Sequence, residues 1–282
     1  MRNRRFVLVS FIFALLNLYA PYLFAQPVYI TNGLAYLRFS QSSEGYWGDP
    51  AEVPFNAFID TCTVTETMRN LDEIGSTYNS AIQWVNTAEV FNTDYLFTKL
   101  LVLGRAGIDV SSIRDYLLGI RNYDGGWGGQ EDFSSDNKRT ILALQALGAI
   151  NFSDQGIISF ALGYLLSTQN PDGGWGFYAG DDSNVYMTAI VLETLSQYRT
   201  IYNLETAINS GIAYLLTKQN PDGGFGTSPS TIYETALAFE ALVLSGSLGA
   251  TSPTVINQAI NYLISTQLPN GSWNDDPYST AI

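Results

Sequence analysis

The chain has 282 residues, of which 46% are hydrophobic, and it carries 26 acidic against 13 basic side chains. A single cysteine, Cys62, and the lack of any histidine exclude an internal disulfide and every histidine-containing catalytic or metal site within one chain. The acidic excess argues against nucleic acid and anionic lipid surfaces as partners, because both are bound mainly through Lys and Arg.

The N-terminus predicts export. Three arginines among the first five residues precede an apolar run that ends at Leu18, which is the pattern of a signal peptide. Cleavage after Ala25 leaves residues 26–282, with ten basic and 26 acidic side chains and a net charge of −16. We therefore expect a secreted, periplasmic or cell-surface protein. If residues 6–25 stay uncut, they are long enough to anchor the chain in a membrane.

A repeat follows the N-terminal segment. The sequence of Tyr164–Gly176 recurs almost unchanged in Tyr214–Gly226, and the corresponding aromatic residues stand at positions 36, 84, 116, 164, 214 and 262. The repeat around Trp84 is shorter and lacks a glycine-rich loop. A period near 48 residues indicates units that bury their apolar faces only against their neighbours.

Each repeat predicts two helices. Residues 208–218 have apolar positions at helical spacing, and an Asn-Pro-Asp-Gly-Gly loop then stops the helix. The second helix of each repeat begins near a recurring threonine and is apolar nearly all round, as Thr235–Phe239 illustrates. We therefore expect the second helices to form a buried ring that the first helices cover.

The last repeat has only the start of a second helix, from Tyr278 to Ile282. The corresponding helices of the other repeats run on for roughly ten more residues. We therefore expect a truncated sixth repeat, a ring that lacks one wall, and possible further domains after Ile282 in a longer protein.

The loops carry a glutamine followed by a Gly-x-aromatic sequence, and this pattern resembles the QW motif of squalene and hopene cyclases. The helix pairs are similar to those of the prenyltransferase and squalene-oxidase repeat superfamily. The resemblance implies an all-α fold, an α/α toroid similar to an (α/α)6 barrel, with six helix pairs. It also implies that the glutamines and aromatics tie each repeat to the next: Gln169, Trp175, Gln219, Phe225, Gln267 and Trp273.

In that superfamily, chemistry takes place at the inner-helix ends that face a central cavity. Class II cyclases carry Asp-x-Asp-Asp-Thr-Ala, whereas Asn184-Val-Tyr-Met precedes Thr188 here. Asp60-Thr-Cys62 resembles half of a prenyltransferase zinc site, but the histidine is absent, and Cys62 lacks the following residues of a thioester motif. We therefore predict no metal or cofactor, and we interpret Cys62 as a core residue.

Several side chains remain as candidates for the cavity mouth. Tyr186, Tyr233 and Tyr278 stand two residues before the recurring threonine, and Arg139 stands one residue before it. We predict that these four contact a ligand, which could be an apolar chain, a carbocation or a sugar. The alternative is that the tyrosines simply pack the helix ends.

Acidic residues form two further sets. Asp60 and Glu234 directly precede the recurring threonine and could serve as general acid and base, although solvated acids at helix starts are commoner. Glu66, Glu193 and Glu240 stand five residues after it, with Gln145 in the equivalent place. We expect this second set at the opposite end of the cavity, in a structural role.

The sequence therefore favours an exported, squalene-cyclase-like repeat domain that lacks the usual catalytic motifs and binds a ligand or partner. One alternative is a divergent terpene or triterpene cyclase. Another is a glycan-active enzyme with paired carboxylates. Whether the protein is an enzyme is left open by the sequence. For each alternative we expect an apolar or glycan ligand in the cavity.

Overall fold

A computed structural model describes residues 27–48, 54–246 and 253–282, so the predicted signal peptide lies outside the described residues. Within these ranges the chain forms twelve helices, which confirms the all-α prediction. They are α1 (Val28–Ser40), α2 (Pro54–Asn70), α3 (Ser76–Thr87), α4 (Thr93–Arg105), α5 (Ser111–Gly119), α6 (Asn137–Ala149), α7 (Gln155–Ser167), α8 (Val185–Tyr198), α9 (Glu205–Leu216), α10 (Ile232–Leu244), α11 (Pro253–Ser265) and α12 (Pro277–Ala281). None of the twelve combines the length and the apolar character that crossing a membrane requires.

The helices alternate between two layers. The even-numbered helices form the inner ring, in which α2 packs against α4, α4 against α6, α6 against α8, and α8 against α10. The odd-numbered helices cover this ring from outside and contact the neighbouring inner helices. The predicted α/α toroid of six helix pairs, with a short last helix, is therefore confirmed.

Capping side chains fix the starts of five inner helices, and in α6, α8, α10 and α12 the cap stands four residues before the recurring threonine. The Asp136 side chain accepts a hydrogen bond from the Arg139 N–H, and the Asn184 side chain accepts one from the Met187 N–H. Asn92, Thr231 and Asp276 cap α4, α10 and α12 in the same way. These caps satisfy helix N–H groups that would otherwise lack a partner.

The recurring threonine joins the loop of each repeat to its inner helix. Thr188 is fully buried, and its Oγ1 accepts a hydrogen bond from the Trp175 N–H at 3.0 Å. The same bond joins Thr61 to Trp47, Thr140 to Trp127, Thr235 to Phe225, and Thr280 to Trp273. A hydroxyl is therefore needed at a position that is otherwise part of the core.

The loop glutamines connect successive outer helices. Gln169 Nε2 donates to the Gly173 carbonyl in its own loop at 2.8 Å and to the Ala207 carbonyl in the next outer helix at 3.0 Å. Gln219 and Gln267 repeat both bonds. The indole Nε1 of Trp175, in contrast, donates to Leu165 in its own repeat. The aromatic rings at the predicted positions, such as Trp175 and Phe225, are buried in the core beside these hydrogen bonds. Phe225 has no indole N–H, so it fills the same position without the hydrogen bond of a tryptophan.

The ring is closed at the start of the inner helices, where we expected a gap. Helix α12 packs against α1 and α2, and the Thr67 hydroxyl of α2 donates to the Ala281 carbonyl. On its other side, Tyr278 of α12 contacts Tyr233 of α10. Five helical residues of the short last repeat are enough to contact both α10 and α2 at this end. The expected missing wall beyond these residues stays a prediction.

Candidate functional site

A cavity of about 1990 Å³ lies inside the ring of inner helices. Helix α12 has five residues, whereas the other inner helices have 13 to 17. The inner ring therefore extends less far along its axis at α12 than elsewhere. Two outer helices, α1 and α11, line the cavity there. Their side chains on the cavity wall are mainly apolar and include Ile30, Leu34, Leu37, Ile256, Ile260 and Ile264.

The three predicted tyrosines come together at one end of the cavity. Their rings form a ladder with Phe177: the centroid distances are 5.7 Å from Phe177 to Tyr186, 5.6 Å from Tyr186 to Tyr233, and 5.7 Å from Tyr233 to Tyr278. The hydroxyls of Tyr233 and Tyr278 lie 3.1 Å apart. Tyr186 and Tyr278 line the cavity, and Tyr233 lies between them. Because the ring faces cover one another, the ladder offers a ligand mostly edges and hydroxyls.

Arg139 lines the cavity, but acidic neighbours already hold its guanidinium. Its Nε lies 2.6 Å from Asp94 Oδ1, and its Nη1 lies 3.0 Å from Asp136 Oδ2. Burial alone would lower the pKa of Arg139, but the bonds and charges of the two aspartates raise it above its usual value. Lys138 Nζ also lies 3.1 Å from Asp94. This network of four charges stabilises the cavity mouth, and the sequence had indicated only Arg139.

Asp60 and Glu234 are not on the cavity wall. The Asp60 carboxyl lies against the backbone of Gly48, and burial, together with the nearby charge of Asp276, raises its pKa to about 6. Glu234 accepts a hydrogen bond from the hydroxyl of Thr231, the cap of its own helix, at 3.1 Å. Glu234 thus contacts its own repeat, whereas Asp60 also lies near Asp276 of the last repeat. Their pairing as acid and base stays a prediction, to which this geometry lends no support.

The second set of recurring residues does line the cavity, as we expected: Glu66, Gln145, Glu193 and Glu240. Glu66 forms an ion pair with Arg105 of α4. Gln145 Nε2 donates to the Thr194 hydroxyl at 3.2 Å. Glu193 and Glu240 project from α8 and α10, which pack closely, and neither has an ion-pair partner within the described ranges.

Glu193 and Glu240 form a carboxyl pair in an apolar setting. Burial raises the pKa of Glu193 well above its usual value, and the charge of Glu240 raises it further. Burial within the ring also raises the pKa of Glu240, whose accessible surface lies on the cavity wall. Two coupled carboxyls whose pKa values are both raised favour a state in which at least one of them is protonated. The pair can therefore both donate and accept hydrogen bonds.

Cys62 is 1% exposed, which agrees with its interpretation as a core residue. Burial and the charge of Glu66 raise the pKa of its thiol well above the usual value, so the thiol stays protonated. A protonated thiol is a poor nucleophile and a poor metal ligand. No cluster of three or more Asp, Glu or Cys side chains in the described part of the chain is arranged to hold a metal ion.

A sequence model of the squalene-hopene cyclase C-terminal domain matches residues 139–281, which is half of the chain. No protein of curated function is similar in sequence. A protein from Actinoplanes is 17% identical, with a TM-score of 0.66 over 87% of this chain and 82% of its own. The ent-copalyl diphosphate synthase of Streptomyces platensis is 19% identical, with a TM-score of 0.64 over 80% of this chain and 48% of its own.

A possible GH105 family member from Salmonella enterica serovar Paratyphi A is 13% identical, with a TM-score of 0.61 over 91% of this chain and 93% of its own. At such identities the structural similarities show a shared fold alone. The sequence match is more specific, since it covers most of the inner helix α6, the inner helices α8, α10 and α12, and the loops between them. The chain therefore belongs to the family of squalene-hopene cyclase C-terminal domains.

Proposed function

We propose that this protein is an exported ligand-binding domain that holds an apolar molecule inside its toroid. The observation that carries the proposal is the cavity of about 1990 Å³. Small-molecule sites usually enclose roughly 300–1,000 Å³, so this space suits a long or branched apolar ligand. Its wall is built mainly from apolar side chains, aliphatic and aromatic, including those of α1 and α11.

The positions where cyclases of this family carry their acids support binding rather than catalysis. The segment before Thr188 is Asn184-Val-Tyr-Met, and its first residue is used as the helix cap. Asp60 and Glu234 are not on the cavity wall. Arg139 is held by two aspartates, which leaves it little capacity to bind a diphosphate or other anionic group.

A divergent terpene or triterpene cyclase is the second candidate. Family membership favours it, and so does the presence of the Glu193–Glu240 pair, which could supply a proton, on the cavity wall. A glycan-active enzyme has weaker support. The GH105-type relative shares only the fold, and the stacked tyrosines cover the ring faces on which a sugar would lie.

Titration with the neutral, polarity-sensitive dye Nile red tests the binding proposal. We expect saturable fluorescence enhancement whose amplitude or emission wavelength Ala236→Trp changes, because Ala236 lies on the cavity wall and a bound dye would contact the new indole. Ala213→Trp is the matched control on the exposed face of α9 and should leave the signal unchanged. Amplitude, emission wavelength and affinity that all stay unchanged in a folded Ala236→Trp protein would place the dye elsewhere and contradict the proposal.

The cyclase alternative is tested by incubation with squalene and with linear polyprenyl alcohols, followed by mass spectrometry of the extracted lipids. Recovery of unchanged lipid from the complex is the result that binding predicts. Cyclised products that disappear in Glu193→Gln/Glu240→Gln would instead establish catalysis by the carboxyl pair.

A further inference from the structure

The charges on the cavity wall are unevenly balanced. Toward the tyrosine end, Asp94 and Asp136 are neutralised by Lys138 and Arg139. Glu66 is neutralised by Arg105. Glu193 and Glu240, in contrast, form no ion pair in the ranges that the structure describes, although both line the cavity.

Within the described ranges, the helices packed against the pair supply no unpaired cation, since Lys138 and Arg139 of α6 are held by Asp94 and Asp136. Gln145 of α6 is uncharged and bonds to Thr194. Helix α11 contains no charged residue, and Glu205, the one charged residue of α9, is paired with Arg199 at 2.8 Å. Glu193 Oε1 is buried without a hydrogen-bond partner. A buried carboxylate oxygen without a partner is costly, so a ligand that donates a hydrogen bond to it would be favoured.

From this arrangement we infer that the Glu193–Glu240 pair anchors a protonated amine, so that the cavity takes a ligand with one cationic head and an apolar body. The inference rests on the proposed function and adds the ligand class. An ammonium group has three N–H donors, one of which can satisfy Glu193 Oε1, and its charge is opposite to that of both carboxylates. A carboxylate head would be repelled, and an alcohol can donate only one hydrogen bond.

Amine binding should be linked to pH. A bound ammonium stabilises the ionised carboxyls, so it lowers the pKa of the pair and displaces the proton that the pair holds in the free protein. Affinity should therefore rise as the pH rises through the titration range of the free pair. An alkylamine keeps its own charge up to about pH 10, as lysine does.

Octylamine, octan-1-ol and octanoate are matched probes for this inference, each measured by isothermal titration calorimetry. At about pH 8 we expect octylamine to bind at least about tenfold more tightly than octan-1-ol, as for a charge-assisted hydrogen bond, and octanoate to bind most weakly. Octylamine should also release protons, so that its apparent binding enthalpy changes with the ionisation enthalpy of the buffer.

The substitutions Glu193→Gln and Glu240→Gln, alone and together, separate the anchor from the rest of the cavity. They should remove the preference for octylamine and leave octan-1-ol binding unchanged, which also shows that the variants fold. Asp182→Asn removes one charge from an exposed loop and should change neither affinity.

Equal affinities for octylamine and octan-1-ol would overturn the inference and leave the proposed function standing. An amine preference that persists in the double variant would also overturn it. If none of the three probes binds, both the inference and the proposed function fail.

Discussion

The Gln267 side chain donates a 2.8 Å hydrogen bond to the Tyr29 carbonyl, across 238 positions of sequence, and so joins the last repeat to the first. The same glutamine position elsewhere joins neighbouring repeats, as Gln219 does to Val255. Closure of the ring therefore uses the contact that already holds successive repeats together.

Gln267→Ala should lower the free energy of unfolding by about 1–3 kcal/mol, because it leaves two carbonyls without their donor. Hydrogen exchange should become faster in α1 and α12, which meet at the closure. Gln219→Ala is the matched control: it should cost a similar amount, but it should not increase exchange in α1. Unchanged exchange at α1 in Gln267→Ala would contradict the role of this bond in closure.

Thr188→Val should destabilise the protein although it keeps the shape of the side chain. The change removes the oxygen that accepts from the buried Trp175 N–H, and such an unsatisfied donor costs about 1–3 kcal/mol. Thr188→Ser keeps the hydroxyl and should recover most of this loss. Urea unfolding measures both variants, and a Thr188→Val protein as stable as the wild type would show that the bond contributes nothing.

Ionisation of Asp60 should lower the free energy of unfolding as the pH rises. Its pKa is about 6 in the folded protein against an ordinary value of 3.8, so the folded state binds more protons than the unfolded state between these values. Stability is then lost as the pH rises from about 4 to beyond 6. Asp60→Asn should flatten this part of the pH profile in urea unfolding. A profile unchanged by the substitution would show that the pKa of Asp60 is not raised.

Export can be tested on the full chain. Expression with residues 1–25 intact should give an exported protein whose N-terminal sequence begins at Gln26, since the first residues have the charge and apolar run of a signal peptide. Replacement of Arg2, Arg4 and Arg5 by Glu should reduce export. An exported protein that still begins at Met1 would instead establish the membrane-anchored alternative.

The repeat pattern was enough to predict the helices and their layers. Each inner helix has its cap, its threonine and its apolar residues in one local stretch, as in Asn184–Leu195, so the helix and its burial follow from short-range sequence. The glutamine and aromatic positions were predictable for the same reason, because every repeat requires the same contacts.

Which acids face the cavity was harder to predict, because it depends on the rotation of each inner helix. A helix turns by about 100° per residue, so Tyr186 and Glu193, which are seven positions apart, lie on nearly the same face of α8. Glu234 and Glu240 are six positions apart, so their side chains point about 120° away from each other around α10. This accounts for Glu240, but not Glu234, lining the cavity. Arg139 reaches the cavity wall from the same position as Glu234 because its side chain is longer.

The carboxyl pair and the ring closure depend on contacts between repeats, which one sequence does not show. The recurrence of Glu193 and Glu240 indicated a shared level in the toroid. It did not indicate that Glu66 would be neutralised by Arg105 while the other two would lack a cation among the described residues. Likewise, the sequence of the short segment after Pro277 did not predict that this segment packs against α2.

The most direct test of the central claim is a crystal structure of the protein grown with 1-bromodecane, whose bromine can be located by its anomalous scattering. The account predicts ordered bromine inside the ring, with the alkyl chain against the aliphatic side chains of α1 and α11, such as Leu34 and Ile260. An empty cavity with bromine only on the outer surface would contradict it.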